Sequence, residues 1–243
     1  MIYNFLGENM QNVKTKLKAY IKEDVEKFKY FHKTDEGGYA ACDEFLGITV
    51  PDIRKVAKEV YLKVDERELK SLLTSNYHEE RLCALIILVL KAKDKNLDKK
   101  YEVLKIYLEN TKYVNGWDLV DLSAPYILGN LVIEDSKISK YIYTLADSKN
   151  MWKQRIAIVS NLTLIRKGEF KYLLDIADKF LDSEYDLIHK ALGWTLREIG
   201  KKDFNKEYNY LIKNYTKMPR TMLRYAIERF DEPLRQKFLK GEI

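Results

Sequence analysis

HEERLCALIILVL (His78–Leu90), VNGWDLVDLSAPYIL (Val114–Leu128), NMWKQRIAIVSNLTL (Asn150–Leu164), YDLIHKALGWTLREIG (Tyr185–Gly200) and KMPRTMLRYAIERF (Lys217–Phe230) are five stretches of one kind. In each, apolar residues recur at spacings of three and four, the period of a helix face packed on a core. Their starts are separated by 36, 36, 35 and 32 residues. More charged helices lie between them, over Leu97–Leu108, Lys137–Leu145, Phe170–Leu181 and Phe204–Tyr215. Helix pairs repeating every 35 to 40 residues, roughly, are the signature of an α-solenoid, because one pair cannot bury its apolar face without stacking on a neighbour. The sequence predicts an all-α fold of HEAT-like repeats, a curved superhelix forming one domain over residues 1–243.

Toward the N-terminus, residues 10–32 read as one amphipathic helix with Val13, Leu17, Tyr20, Ile21, Val25 and Phe28 on its apolar face. A polar, Gly-containing loop follows over Lys33–Asp43, and Pro51 marks a helix start, with Thr49 placed to cap it. The composition agrees with an all-α reading. In 243 residues there are only 4 Pro and 10 Gly, so turns are scarce, while 46% hydrophobic and 33% charged residues exclude disorder across the chain.

Several function classes fall away on the same grounds. The longest apolar run, Leu82–Leu90, is far short of the roughly 20 residues that span a bilayer, and the N-terminus lacks the pattern of a signal peptide. Cys42 and Cys83 show no repeated spacing, so a disulfide framework or zinc site is not expected and the thiols read as reduced, in a cytoplasmic protein. His32, His78 and His189 are far apart in sequence without ligand spacing, and Gly37-Gly38 lacks the Lys and Ser or Thr of a Walker motif. No metal, nucleotide or other cofactor is expected, nor a membrane partner. The excess of 43 basic over 37 acidic residues, net +6, is compatible with a polyanion.

The second helices carry residues that a purely structural helix would not choose. All three tryptophans, Trp117, Trp152 and Trp194, lie there, with Asp118, Asp121, Arg155, His189, Lys190, Arg197, Arg220, Arg224 and Arg229. The first helices carry mostly Lys, Glu and Asp, an ordinary solvated face. This places the second helices on the concave side. Trp117 and Asp121 are one turn apart on one helix face. Arg155 lies 38 residues beyond Trp117, and Trp194 lies 39 beyond Arg155. In a solenoid such residues line up on adjacent inner helices, so Trp117, Asp121, Arg155 and Trp194 are expected to converge. Taken singly, each tryptophan is a common core residue and the Asp and Arg are common salt-bridge partners; the coincidence at repeat spacing favours a site.

At these motifs the sequence resembles the AlkD family of DNA alkylation-repair glycosylases, HEAT-repeat proteins that release cationic N3- and N7-alkylated purines. The likeness is carried by YFHKTDEGGYAACDEFLGITVPDIR (Tyr30–Arg54), HEERL (His78–Leu82), NGWDLVDLSAPYILG (Asn115–Gly129), WKQRIAI (Trp152–Ile158), IHKALGWTLREIGK (Ile188–Lys201) and MPRTMLRYAIERF (Met218–Phe230). The resemblance implies that Asp121 is the catalytic aspartate, that Trp117 and Trp194 contact the sugar, and that Arg155 lies on the phosphate side. Tyr39 is the nearest match to a DNA-contacting tyrosine of the first loop, with its spacing to Phe45-Leu-Gly changed by one residue. The implied partner is duplex DNA containing alkylated purines, engaged without base flipping by a monomer. Lys190, Arg197, Arg220 and Arg224 are further candidates for phosphate contact.

The chemistry suits such a set. A base carrying a positive charge is already a good leaving group, so no general acid is needed, only stabilisation of an oxocarbenium-like sugar and delivery of water. An ionised aspartate serves both ends. Two other functions share the fold: a DNA-structure-binding protein without excision activity, and a protein-binding scaffold. The catalytic reading requires that the Asp121 carboxylate face the DNA rather than be locked in an internal ion pair.

Overall fold

The computed structural model describes residues 12–21, 24–35, 38–41 and 43–243, and is all-α and solenoid-like. Among these residues the nearest thing to a strand is a single bridge between Glu44 and Tyr77. Gly37, Cys42 and positions 10, 11, 22 and 23 of the expected first helix lie outside the described residues. The chain divides into two compact units, Met1–Lys95 and Asn96–Ile243.

The first unit holds α1 (Val13–Lys18), α2 (Val25–His32), α3 (Val50–Val60), α4 (Glu66–Leu73) and α5 (His78–Lys91). One helix over 10–32 is therefore corrected to two. Asn12 and Asp24 each cap a separate start, accepting from Lys14 N and Glu26 N, and these local bonds compete with a continuous ladder. Of the six apolar positions assigned to that face, Val13 and Leu17 alone are buried. Pro51 does sit in the first turn of α3, but the Thr49 hydroxyl donates to Asp52 Oδ2 (2.9 Å) rather than capping the backbone.

α5 packs against both α3 and α4, which explains its run of apolar residues on every side. Its polar start is buried too, for a structural reason. The Glu79 carboxylate accepts from the N–H groups of Leu46 (2.9 Å), Gly47 (2.8 Å) and Ile48 (3.3 Å), holding a turn that passes through Gly47 at φ 74°. Arg81 donates to the carbonyls of Ser75 and Asn76 and to Asp43 Oδ2 (2.6 Å). HEERL is thus a clamp on the Asp43–Ile48 loop. The structure also corrects the separation of the histidines: the His32 and His78 rings lie 4.5 Å apart and share a cluster with Phe45. Cys83 is a free, fully buried thiol, pushed up to about 12 by burial.

The second unit comprises α6 (Leu97–Glu109), α7 (Trp117–Asp121), α8 (Asn130–Glu134), α9 (Lys140–Ala146), α10 (Met151–Val159), α11 (Asn161–Arg166), α12 (Lys171–Ala177), α13 (Asp186–Gly200), α14 (Phe204–Asn214), α15 (Arg220–Ala226) and α16 (Glu232–Lys240). Here the repeat is visible as contact. α7 packs on α10, α10 on α13 and α13 on α15, so the second helices of successive pairs form one layer. Polar cross-links join repeats at nearly constant separation: Tyr101 to Asp135 (2.8 Å), Tyr143 to Asp175 (2.7 Å), Tyr210 to Asp178 (2.9 Å) and Lys179 to Asp147, at 34, 32, 32 and 32 residues. Stacking of like units forces this recurrence. No described helix is long and apolar enough to cross a membrane.

Candidate functional site

The helix expected over Val114–Leu128 is interrupted, and the interruption shapes the site. Gly116 enters in an extended conformation, α7 runs five residues from Trp117 to Asp121, and a turn of wider, π-type pitch follows over Pro125–Gly129. Pro125 has no N–H to give the Asp121 carbonyl, which is the bond a continuing α-helix would make. The break leaves Asp121 at the end of a helix rather than in its middle. Beneath it, Ser123 is fully buried, its hydroxyl donating to the Leu119 carbonyl (2.5 Å) and bonded to the Tyr107 hydroxyl (3.0 Å). Such π-type turns recur at functional sites.

Across the layer, Asp121 meets Arg155 of α10. Arg155 Nε donates to Oδ1 (3.1 Å) and Nη2 to Oδ2 (2.8 Å), a two-pronged fork, while Nη1 donates to the Leu187 carbonyl at the start of α13 (2.6 Å). One guanidinium thus ties three successive second helices together. The Arg155 side chain is 6% exposed and that of Asp121 17%. Burial pushes the Asp121 carboxyl above its usual range; the charge and hydrogen bonds of Arg155 oppose that, and Asp118 adds to it.

This arrangement bears on two expectations. Arg155 is buried and its guanidinium is turned to Asp121 and the Leu187 carbonyl, where a phosphate contact was expected of it. A guanidinium buried between helices needs a counter-charge, and Asp121 is that counter-charge. The carboxylate, in turn, is held in an internal ion pair instead of standing free, on a side chain that is 17% exposed. Trp117 is half-buried, one turn before Asp121. Trp194 is half-buried on α13, two turns or about 10 Å along the axis from Leu187. Trp152 is in the core, at 8% exposure.

The basic candidates sort by partner. Lys190 pairs with Asp186 (2.7 Å) on its own helix, and Arg197 pairs with Glu228. Arg220 and Arg224, one turn apart on α15, are exposed and make no ion pair among the described residues. His189 is bonded to the Ser183 carbonyl (2.5 Å), and Tyr39 is half-buried in the first unit. Sequence reasoning missed Pro125 as a helix break and Tyr107 with Ser123 as support; the proline was the available signal.

No curated protein matches the chain. A solved structure described as a predicted DNA alkylation repair enzyme from Enterococcus faecalis is similar in fold, with a TM-score of 0.68, 16% identity, and coverage of 87% of this chain and 99% of that one. At that identity the likeness concerns the fold alone. The sequence model for the family described as DNA alkylation repair enzyme matches residues 13–230, and so takes in α7, α10, α13 and α15 with Asp121 and Arg155. On that match, the chain belongs to the DNA alkylation repair enzyme family.

Proposed function

We propose that the protein is a DNA glycosylase that hydrolyses the N-glycosidic bond of 3-methyladenine and 7-methylguanine type lesions, leaving an abasic site. The observation that carries this reading is the Asp121 carboxylate, held in a two-pronged guanidinium fork one turn from Trp117 on a side chain that is still 17% exposed; the pair meets the condition set against catalysis, and the reading stands on its orienting the carboxylate rather than withdrawing it. In the mechanism, the charged edge faces the sugar as the base departs and orients the attacking water. Trp117 and Trp194 flank the cationic nucleoside, each contributing about 0.5–2 kcal/mol.

The ion pair sets the magnitude. A lone carboxylate about 4 Å from the developing cation is worth roughly 4 kcal/mol at an effective dielectric near 20. A guanidinium about 4 Å behind it takes back roughly 2 kcal/mol, leaving a factor of about 30 in rate. That suits a base already activated by its own charge and does nothing useful for an ordinary nucleotide.

A specific observation also favours a second reading: a carboxylate already neutralised by Arg155 fits a DNA-binding relative that does not excise. One experiment separates them. Wild type and Asp121→Asn are incubated in excess with methylated duplex, and free 7-methylguanine and duplex affinity are measured separately. The glycosylase reading expects release by wild type, reduced on the order of a thousandfold in the variant, because the roughly 4 kcal/mol of the carboxylate is lost while the guanidinium's opposing charge stays, with the variant binding at least as tightly. Normal binding without release by wild type establishes the second reading, and equal release by both proteins removes Asp121 from the mechanism. Duplex binding that is absent or insensitive to salt would instead point to a protein scaffold.

A further inference from the structure

The turn after α7 and the α10–α11 junction meet more closely than any side chain would allow. A Cβ on Gly129 would stand 2.2 Å from the Ser160 carbonyl oxygen and 2.4 Å from Thr163 Oγ1. Thr163 Oγ1 in turn donates to the Pro125 carbonyl (2.5 Å), which the Asn130 N–H also bonds. Two anchors, one backbone contact and one hydroxyl, therefore dock the Pro125–Gly129 turn onto α11.

Their placement is informative. Pro125 lies four residues beyond Asp121, and Ser160 lies five beyond Arg155. The near ends of the joint, the Pro125 and Ser160 carbonyls, are thus about one helical turn from the ion pair, while Gly129 and Thr163 each lie eight residues from Asp121 and Arg155. A rigid contact there fixes how far α7 can slide along α10. The two-pronged fork is the contact most sensitive to that sliding, since both N–H···O distances must stay near 3 Å at once.

We propose that the Gly129–Thr163 joint is a positioning element that sets Asp121 against Arg155 and holds the carboxylate edge in its working orientation. This rests on the glycosylase reading for one of its two readouts only. Neither residue touches substrate; both act through the register of two helices.

The test uses the full chain with Gly129→Ala, Thr163→Val and Thr163→Ser. A methyl at 129 must push the two backbones apart by close to 1 Å, a displacement that costs catalytic groups on the order of a hundredfold at most. The first readout is hydrogen exchange of the Arg155 Nε–H by NMR, which reports the pair whether or not any base is released. Thr163→Val is expected to speed that exchange about tenfold, Thr163→Ser to restore it, and Gly129→Ala to exceed both. The second readout is single-turnover release of 7-methylguanine, expected to fall in the same order. Should Gly129→Ala fail to fold, the Thr163 pair carries the test. Folded Thr163→Val with wild-type exchange overturns the proposal. Faster exchange in a set of proteins that release no base upholds the joint and overturns the glycosylase reading alone.

Discussion

Glu207 of α14 offers the sharpest quantitative test of the structure. Its side chain is 2% exposed, its Oε1 has no hydrogen-bond partner among the described residues, and its Oε2 sits so close to Gly200 that a Cβ there would stand 1.7 Å away. Burial raises its pKa from 4.5 to about 8, with Arg197 pulling weakly the other way. The folded chain keeps this proton while the unfolded chain has already released it. Stability from Glu207 is therefore fully present below pH 4.5 and is lost as pH rises through about 8. The slope is about 1.4 kcal/mol per pH unit, so the whole interval is on the order of 5 kcal/mol. Glu207→Gln keeps the shape and removes the titration. The assay is urea unfolding followed by tryptophan fluorescence at pH 5, 6.5 and 8. Trp117, Trp152 and Trp194 all lie in Asn96–Ile243, so the signal reports the unit that contains Glu207. Other titrating groups cancel in the difference between the two proteins. Stabilities within about 1 kcal/mol of each other at pH 5 and a variant several kcal/mol more stable at pH 8 are the expected result. A difference that does not change with pH would refute a neutral, buried Glu207.

Two further outcomes follow from the site. On the glycosylase reading the ionised form of Asp121 acts, and because burial raises its pKa, kcat/KM for 7-methylguanine release should fall tenfold per unit on the acid side. The break should come above the ordinary aspartate value of 3.8, and a flat profile down to that pH would contradict the assignment. Because Arg220 and Arg224 are exposed and unpaired among the described residues, changing each to Ala should flatten the salt dependence of duplex affinity by about one phosphate contact apiece, with release at saturating protein unchanged.

The repeat is legible because stacking writes itself into sequence spacing. Starts read at Asn150 and Tyr185 are the caps of α10 and α13, and the 34-residue step from Asp121 to Arg155 is a direct contact. What the spacing does not reveal is the direction of side chains within the layer. Arg155 reads from sequence as reaching DNA, but periodicity carries no information on whether a guanidinium turns inward or outward. That depends on whether a counter-charge waits on the neighbouring helix, a three-dimensional fact. The clamp formed by Glu79 and Arg81 is hidden for a related reason, since its partners are backbone groups of a loop that has no period. The single first helix gives way to local competition, where Asn12 and Asp24 each offer the backbone a fresh start.

The pairing of Asp121 with Arg155 changes what a successful mutation should look like. A free carboxylate near phosphates would repel them, and its removal would relieve that repulsion. In the observed pair the net charge is zero, so the intact site neither repels nor attracts strongly at a distance. Asp121→Asn leaves the guanidinium buried beside a neutral amide, adding one net positive charge where, on the glycosylase reading, DNA approaches. Tighter duplex binding with slower release is then the combined signature of a charge that acts at contact range on the sugar and is cancelled beyond it. Slower release with weaker binding would mean that the substituted amide had loosened the stacking of α7, α10 and α13, and that Asp121 served the fold rather than the reaction.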